Sequence, residues 1–413
     1  MTVVDAPSVL PGGRSGASAL PPFLLLYAVL YAAYGTESAY LPSFLESHAL
    51  PVERIGTVLA AGTVVRIIAG PAAGRLADRF SARRLVLGAA AALSGLVGAT
   101  YLGAFGLVPL LVVCLAHSCF TAPLAPVADA LAVPASVGPR GFRYGWVRGA
   151  GSLAFVGGTL VSGQLVDQFG LACIIVASSA LFLVMAPCSV LVEAPRAHDA
   201  GGSSASRGAF RALLAIPAYR WLLVVAGLVI GSHALNDAYA VITWRAAGYN
   251  GTVVSLLWSE SVLAEVVVFF LIGPWLIDRL GPAGAAGLSA AAGLLRWTVM
   301  GTTSALPALV AVQGLHGFTF ALLHLAAMRV IAVAVPDRLS ATAQSVYGNL
   351  ALGLASAALT LLSGYVYADL GLRAFWVMAA LCGLALFAVP GLRVDDQTPD
   401  GIAAAAAGHT ETR

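Results

Sequence analysis

Gly70-Pro71-Ala72-Ala73-Gly74-Arg75-Leu76-Ala77-Asp78-Arg79-Phe80-Ser81-Ala82-Arg83-Arg84 is a compact charged turn between two long apolar segments, in a chain that otherwise carries little charge. It reads as a short hairpin joining two membrane helices. The small residues Gly70, Ala73, Gly74 and Ala77 would let helix backbones approach closely, and Asp78 can cap a helix end or pair with an arginine. Arg75, Arg79, Arg83 and Arg84 mark the side of the turn that stays in the cytosol.

Composition agrees with a bilayer location. The chain has 413 residues, of which 59% are apolar and only 10% charged, with a mean hydropathy of +0.89. A soluble core of this length could not bury so much apolar surface. The net charge is +3, and all 22 basic residues are arginine. They fall into short turns between apolar runs rather than onto one face, which excludes a nucleic-acid reader. The five cysteines (Cys114, Cys119, Cys173, Cys188, Cys382) lie inside apolar segments without metal-ligand spacing and read as helix-packing residues, so no metal or cofactor is expected. No Gly-x-Ser-x-Gly elbow, His-Glu-x-x-His pair or P-loop occurs, so the chain is not expected to be an enzyme.

A span needs about 20 apolar residues. Twelve runs of that length fit: 21–45, 54–75, 83–104, 106–132, 142–166, 169–192, 219–245, 252–277, 284–303, 306–334, 341–367 and 371–392. They are too long and too rich in alanine, leucine and glycine for strands. The reading is an all-α integral membrane protein of twelve transmembrane helices in two pseudo-symmetric six-helix bundles. Turns after helices 2, 4, 6, 8 and 10 hold Arg79, Arg83, Arg84, Arg140, Arg143, Arg196, Arg207, Arg211, Arg279 and Arg338, whereas the opposite turns hold only Arg54, Arg245 and Arg373. Both termini are therefore expected in the cytoplasm of a bacterial inner membrane. The expected organisation is a cytoplasmic segment 1–20, a first bundle 21–192, a Gly/Ser-rich linker 193–218, a second bundle 219–392 and a disordered tail 393–413.

An internal repeat links the halves. Ser162-Gly163, Asp167 and Gly170-Leu171 recur as Ser363-Gly364, Asp369 and Gly371-Leu372, and Asp78-Arg79 recurs as Asp278-Arg279, all with an offset near two hundred residues. Paired halves around a central site suit alternating access.

Six ionisable residues fall inside spans rather than turns: Glu37, Arg66, Asp129, Arg148, Glu265 and Arg296. An ionisable group in lipid costs about 2.5 to 3.5 kcal/mol, so each should face a cavity or a partner. A Glu37–Arg66 ion pair between helices 1 and 2 is expected, with Asp129, Arg148, Glu265 and Arg296 bordering a shared chamber. His117 and His233 are read as structural. His316 and His324 are eight residues apart, which places them on nearly one face of helix 10.

The charged turn resembles the signature loop of the major facilitator superfamily, which implicates Gly74, Asp78, Arg79, Arg83, Arg84 and Arg66 in gating. Ala125-Pro126-Val127-Ala128-Asp129-Ala130 followed by Tyr144-Gly145-Trp146-Val147-Arg148-Gly149-Ala150-Gly151-Ser152-Leu153-Ala154-Phe155 is similar to helices 4 and 5 of the lactose permease and phenylpropionate permease branch. There an acid and an arginine bind substrate, which implies that role for Asp129 and Arg148; Phe155 replaces a sugar-stacking tryptophan. Gln313 to Arg329 resembles helix 10 of the phenylpropionate permeases, and Trp244 to Tyr249 their turn after helix 7. The resemblance matches His316, Arg296 and, more loosely, Glu265 to charged residues of lactose permease. Thr319 stands where that permease has its proton-carrying carboxylate, so coupling here would need another group.

The resulting expectation is proton-coupled uptake of a small organic anion such as an aromatic carboxylate, by a monomer in the lipid bilayer. Substrate contact is assigned to Asp129, Arg148, Phe155, Arg296 and Asp237, and proton coupling to Glu265, His316, His324 and Glu37. Tyr34, Tyr40, Tyr239, Trp258, Phe318, Phe320 and Tyr347 could add aromatic walls. Arginine with aromatics fits a carboxylate better than a sugar. The alternatives are proton-coupled efflux, for which the Gly-Pro pair typical of helix 5 in such exporters is missing between Gly149 and Gly163, and sugar or nucleoside symport.

Overall fold

The computed structural model describes residues 19–137, 141–192 and 207–393, and these are helical throughout apart from short turns. Residues 193–206 of the expected linker and 394–413 of the expected tail, as well as Arg140 and Arg196, lie outside the described residues; the rest of the linker is not flexible coil, since Arg207–Ala215 is a helix and Pro217 opens the next one. Among the described residues, nine helical stretches are long and apolar enough to cross a membrane. Two of them, Gly251–Thr302 and Asp337–Leu392, run 52 and 56 residues. At 1.5 Å per residue each is more than twice the length needed to cross once.

Counting both double crossings and the helix Leu20–Ser38 gives twelve traversals. They are α1 (Leu20–Ser38), α2 (Val52–Arg79), α3 (Arg83–Gly103), α4 (Leu107–Ser136), α5 (Tyr144–Phe169), α6 (Ala172–Leu191) and α7 (Pro217–Ala246), then α8 (251–280), α9 (282–302), α10 (Leu306–Ala334), α11 (337–370) and α12 (Ala374–Ala388). Gly281, at φ 66°, turns the chain between α8 and α9 in a conformation that side-chain-bearing residues avoid. α1 is shorter than the run 21–45 suggests. It ends at Ser38, and a separate short helix, Leu41–Ser47, carries at its second position Pro42, which has no N–H to continue the first helix.

The protein wears its apolar residues on the outside. Leu85, Leu153, Leu271 and Phe387 are 73%, 74%, 73% and 85% exposed, as a lipid-facing surface requires.

At the end of the molecule opposite the arginine-rich turns the halves share one continuous apolar core, in which Tyr40, Phe44 and Ile55 join Val229, Leu235 and Tyr239. The repeat markers meet here. A Cβ on Gly163 would strike the Gly251 carbonyl, and one on Gly364 would strike that of Glu53, so α5 packs on α8 and α11 on α2 with backbones nearly touching. Asp167 accepts from the Gly251 N–H (2.6 Å), the Thr252 N–H (2.8 Å) and the Thr252 hydroxyl (2.7 Å), closing the exposed N-terminus of α8. Tyr40 donates to the Gly251 carbonyl at 2.6 Å, and Tyr239 bridges the Gly56 N–H and the Val52 carbonyl. Tyr40 and Tyr239 are therefore part of this seal rather than of a ligand wall. All of these hydrogen bonds join the two halves at this end.

The opposite end is built differently. Around Gly74 nothing lies within 4 Å of where a Cβ would sit, and at Gly70 a Cβ would meet the Ala122 carbonyl at an ordinary 3.6 Å, so these glycines do not bring backbones as close as those at the sealed end. Within the turn, Asp78 pairs with Arg83 at 2.8 Å. Arg83 also donates to the Ala130 carbonyl on α4 (3.3 Å) and Arg84 to the Val192 carbonyl after α6 (3.4 Å), while Arg79 lies over the Phe80 ring. The two arginines thus satisfy carbonyls near the ends of neighbouring helices.

Candidate functional site

α4 is broken at Ala122-Pro123, and α5 restarts the chain at Tyr144, so Asp129 and Arg148 face each other from adjacent helices. Arg148 Nη1 stands 4.0 Å from Asp129 Oδ1, with the two side chains 42% and 38% exposed. Three tyrosines dress the pair. Tyr27 and Tyr144 donate to the same Asp129 oxygen at 2.5 and 2.7 Å, and Arg148 Nη1 donates to the Tyr31 hydroxyl while its guanidinium lies 5.2 Å from the centre of that ring. Tyr27, Tyr31 and Tyr34 follow one another along one face of α1 with ring centres 6.0 Å apart at each step, Tyr27 stacked on Tyr31 and Tyr34 edge-on to it. Phe155 stands seven residues beyond Arg148 on α5, half-buried, its carbonyl against Gly35 of α1; no contact joins it to the ion pair.

The second half carries a buried relay. Arg296 on α9 is fully buried; its Nη2 donates to Gln313 Oε1 at 2.7 Å, and its Nη1 donates to His316 Nδ1 at 2.9 Å. Ser261 on α8 donates to the same Gln313 oxygen at 2.7 Å. Because a guanidinium can only donate, His316 must accept at Nδ1 and carry its proton on Nε2. That nitrogen points at Glu265 Oε2, 3.7 Å away. Glu265 is 33% exposed, so the relay begins at an accessible carboxylate and ends in the interior. His324, two turns on and packed between Phe269 and Tyr347, lies within electrostatic reach of Glu265, as does Arg148 from the other half. Asp237 is exposed among buried neighbours on α7 and accepts from Asn236.

Three expectations change with this geometry. Arg296 cannot take a ligand directly in this conformation, because both Nη atoms are engaged and the side chain has no exposed surface. Asp129, Arg148 and Glu265 retain access without it. Glu37 pairs with His117 rather than with Arg66, at 3.5 Å, because the side of α1 that carries Glu37 faces α4; Arg66 is exposed. His117 therefore joins a charged cluster instead of serving as packing alone. Sequence reading also missed Tyr27, Tyr31, Tyr144, Ser261 and Gln313 as site components, although the first two and Tyr34 follow a helical spacing that signals one face.

The model of the MFS_1 like family matches residues 23–378. The chain belongs to this family, within the major facilitator superfamily. Over 377 residues it is 34% identical to the "Probable 3-phenylpropionic acid transporter" of Escherichia coli (strain K12), across 88% of this chain and 95% of that protein. It is 27% identical over 363 residues to a maltose permease of Geobacillus stearothermophilus, across 87% and 91% of the two chains. Among solved structures, a mutant of the nucleoside transporter NupG superposes with a TM-score of 0.81 at 16% identity, covering 90% of this chain and 99% of that one. A D-xylose-proton symporter gives a TM-score of 0.66 at 14% identity, with coverages of 90% and 99%. The major facilitator fold of twelve helices in two pseudo-symmetric six-helix bundles is thus established, and the chain is a multi-pass membrane transporter for small molecules.

Proposed function

We propose that this transporter carries out proton-coupled uptake of a small aromatic carboxylate across the bacterial inner membrane, with both termini cytoplasmic. The observation that carries the reading is Arg148. It is half-exposed and engaged through Nη1 alone, with three tyrosines around it and the accessible carboxylate of Glu265 within electrostatic reach across the halves. A guanidinium with a free edge binds a carboxylate through two parallel bonds, and tyrosine rings supply an apolar yet hydrogen-bonding wall. The E. coli relative named for 3-phenylpropionic acid supports the substrate class.

Coupling follows from competition. Ionised Glu265 and a substrate anion both bid for the field of Arg148, whereas protonated Glu265 leaves the arginine to the substrate. Proton and anion then bind together, and the loaded carrier exposes the site to the other side. The seal at α5–α8 and α2–α11 supports an assignment of this conformation as closed to the outside.

The test is uptake into proteoliposomes with labelled 3-phenylpropionate and an imposed pH gradient, acidic outside. The expected result is accumulation that a protonophore abolishes. Uptake indifferent to the gradient would remove proton coupling, and failure to bind any arylalkanoate would remove the substrate class.

A further inference from the structure

The first half holds a buried ionisable pair that the Asp129–Arg148 site does not use. His117 Nδ1 on α4 stands 3.5 Å from Glu37 Oε1 on α1, and the side chains are 4% and 9% exposed. His117 Nε2 has no hydrogen-bond partner. Its ring is held edge-on by Tyr101 of α3 (5.7 Å) and Phe182 of α6 (5.8 Å). The other charged or titratable groups facing the pair are Tyr34 on α1, Arg66 on α2, Tyr101 on α3 and Cys114 on α4; the tyrosines and the cysteine lie within electrostatic reach of both Glu37 and Arg66. α6 contributes the apolar ring of Phe182 and the hydroxyl of Ser179 on this side.

We propose that Glu37 and His117 form a second proton-binding site, taking up one proton per transport cycle beneath the outward seal. This rests on the proton-coupled reading above and adds a site to it. With one proton between them the two groups are neutral, a carboxylic acid beside an imidazole. Removing that proton leaves an unbalanced carboxylate in an apolar surround, eased only by Arg66. Burial thus makes the two protonation states unequal partners for the helices around them.

Position connects the pair to conformation. The Glu37 carbonyl accepts the Tyr40 N–H at 3.2 Å where α1 ends, and the Tyr40 hydroxyl donates to the Gly251 carbonyl of the second half at 2.6 Å. Tyr40, the third residue after Glu37, thus carries a bond that closes the outward side. On α1 itself, Tyr27 and Tyr31 touch Asp129 and Arg148, so the proton site and the anion site share one helix, and the turn that follows it carries the seal residue Tyr40.

Substrate-free infrared difference spectra of full-length protein in lipid, recorded between about pH 5 and about pH 8, test proton binding directly. A carboxylic acid band is expected in wild type, lost in Glu37→Gln and displaced in both frequency and pH midpoint in His117→Gln. In proteoliposomes a gradient of about one pH unit should give about tenfold less 3-phenylpropionate accumulation in Glu37→Gln than in wild type, the share contributed by one proton. Should Glu37→Gln fail to fold, the displacement in His117→Gln decides alone. Spectra unchanged in both variants, with wild type coupled to protons, would overturn the second site and leave the proton-coupled reading standing. Wild-type uptake without a proton would overturn both.

Discussion

Asp129 with Arg148 in the first half and Arg296 in the second hold charge inside a bilayer in opposite ways. In the first, Asp129 and Arg148 stand 4.0 Å apart on regular α-helix, each side chain more than a third exposed. In the second, Arg296 is sealed in and spends its donors on Gln313 and His316. The second half also holds all the π-helical turns among the described residues: Val268–Ile272 in α8, Phe318–Leu322 in α10 and Tyr347–Leu354 in α11. The first of these begins three residues after Glu265 and the second two after His316. A π turn widens the helix by one residue and re-aims what precedes it, and such turns gather at functional sites. A half-exposed pair can exchange one partner for a ligand, whereas a buried relay holds its partners and can change only its protons. Fold symmetry therefore coexists with different chemistry at these two positions, while the Glu37–His117 pair gives the first half a buried site of its own.

The sharpest test of that difference is Arg148→Ala. Hydrogen bonds to a charged group contribute about 1.5–3 kcal/mol, so binding of 3-phenylpropionate should weaken about ten- to hundredfold. Thermal stability should change little, since ion pairs this exposed contribute about 1 kcal/mol or less. A large fall in melting temperature with intact binding would make the pair structural and erase the contrast. Glu265→Gln sharpens it from the other side. Accumulation driven by a gradient of about one pH unit should drop about tenfold, exceeding any loss of substrate exchange at equal pH, because one coupled proton at that gradient contributes about that factor. Equal losses in both assays would place Glu265 in anion binding instead.

Much of this was legible in the chain itself. The charged turn after residue 70 and the lengths of the apolar runs sufficed for twelve crossings, because membrane thickness permits few other readings. The Ser162-Gly163 and Ser363-Gly364 markers flagged the repeat, and the structure supplies their reason: glycine is needed where α5 meets α8 and α11 meets α2. Direction around a helix axis was harder. Glu37 pairs with His117 rather than Arg66 because of a rotation of α1, and no residue near Arg296 announces that its side chain turns inward. The π turns left no local signal either, since Phe318 to Leu322 reads like any apolar helix.

Arg296→Lys addresses the buried relay with a smaller effect. An ammonium cannot bridge Gln313 and His316 as the planar fork does, and an unsatisfied buried acceptor costs about 1–3 kcal/mol. The variant should melt at a lower temperature than wild type, and the pH profile of uptake should move, because His316 loses the donor that fixes its proton on Nε2. An unmoved profile would detach Arg296 from the proton relay.

The smallest effect belongs to Tyr144→Phe, and it discriminates most finely between the halves. Tyr27 and Tyr144 both donate to Asp129 Oδ1, so removing one hydroxyl leaves the carboxylate with a donor and with Arg148 still 4.0 Å away. One such bond contributes about 0.5–1.5 kcal/mol, which corresponds to about a two- to tenfold change in affinity for 3-phenylpropionate. Its direction is informative. Asp129 with fewer donors attracts Arg148 more strongly, so the arginine should be less available and binding should weaken, with no shift in the pH midpoint of uptake. A shifted midpoint would mean that Asp129 itself exchanges a proton during transport, and the assignment of protons to Glu265, His316 and the Glu37–His117 pair would have to be redrawn.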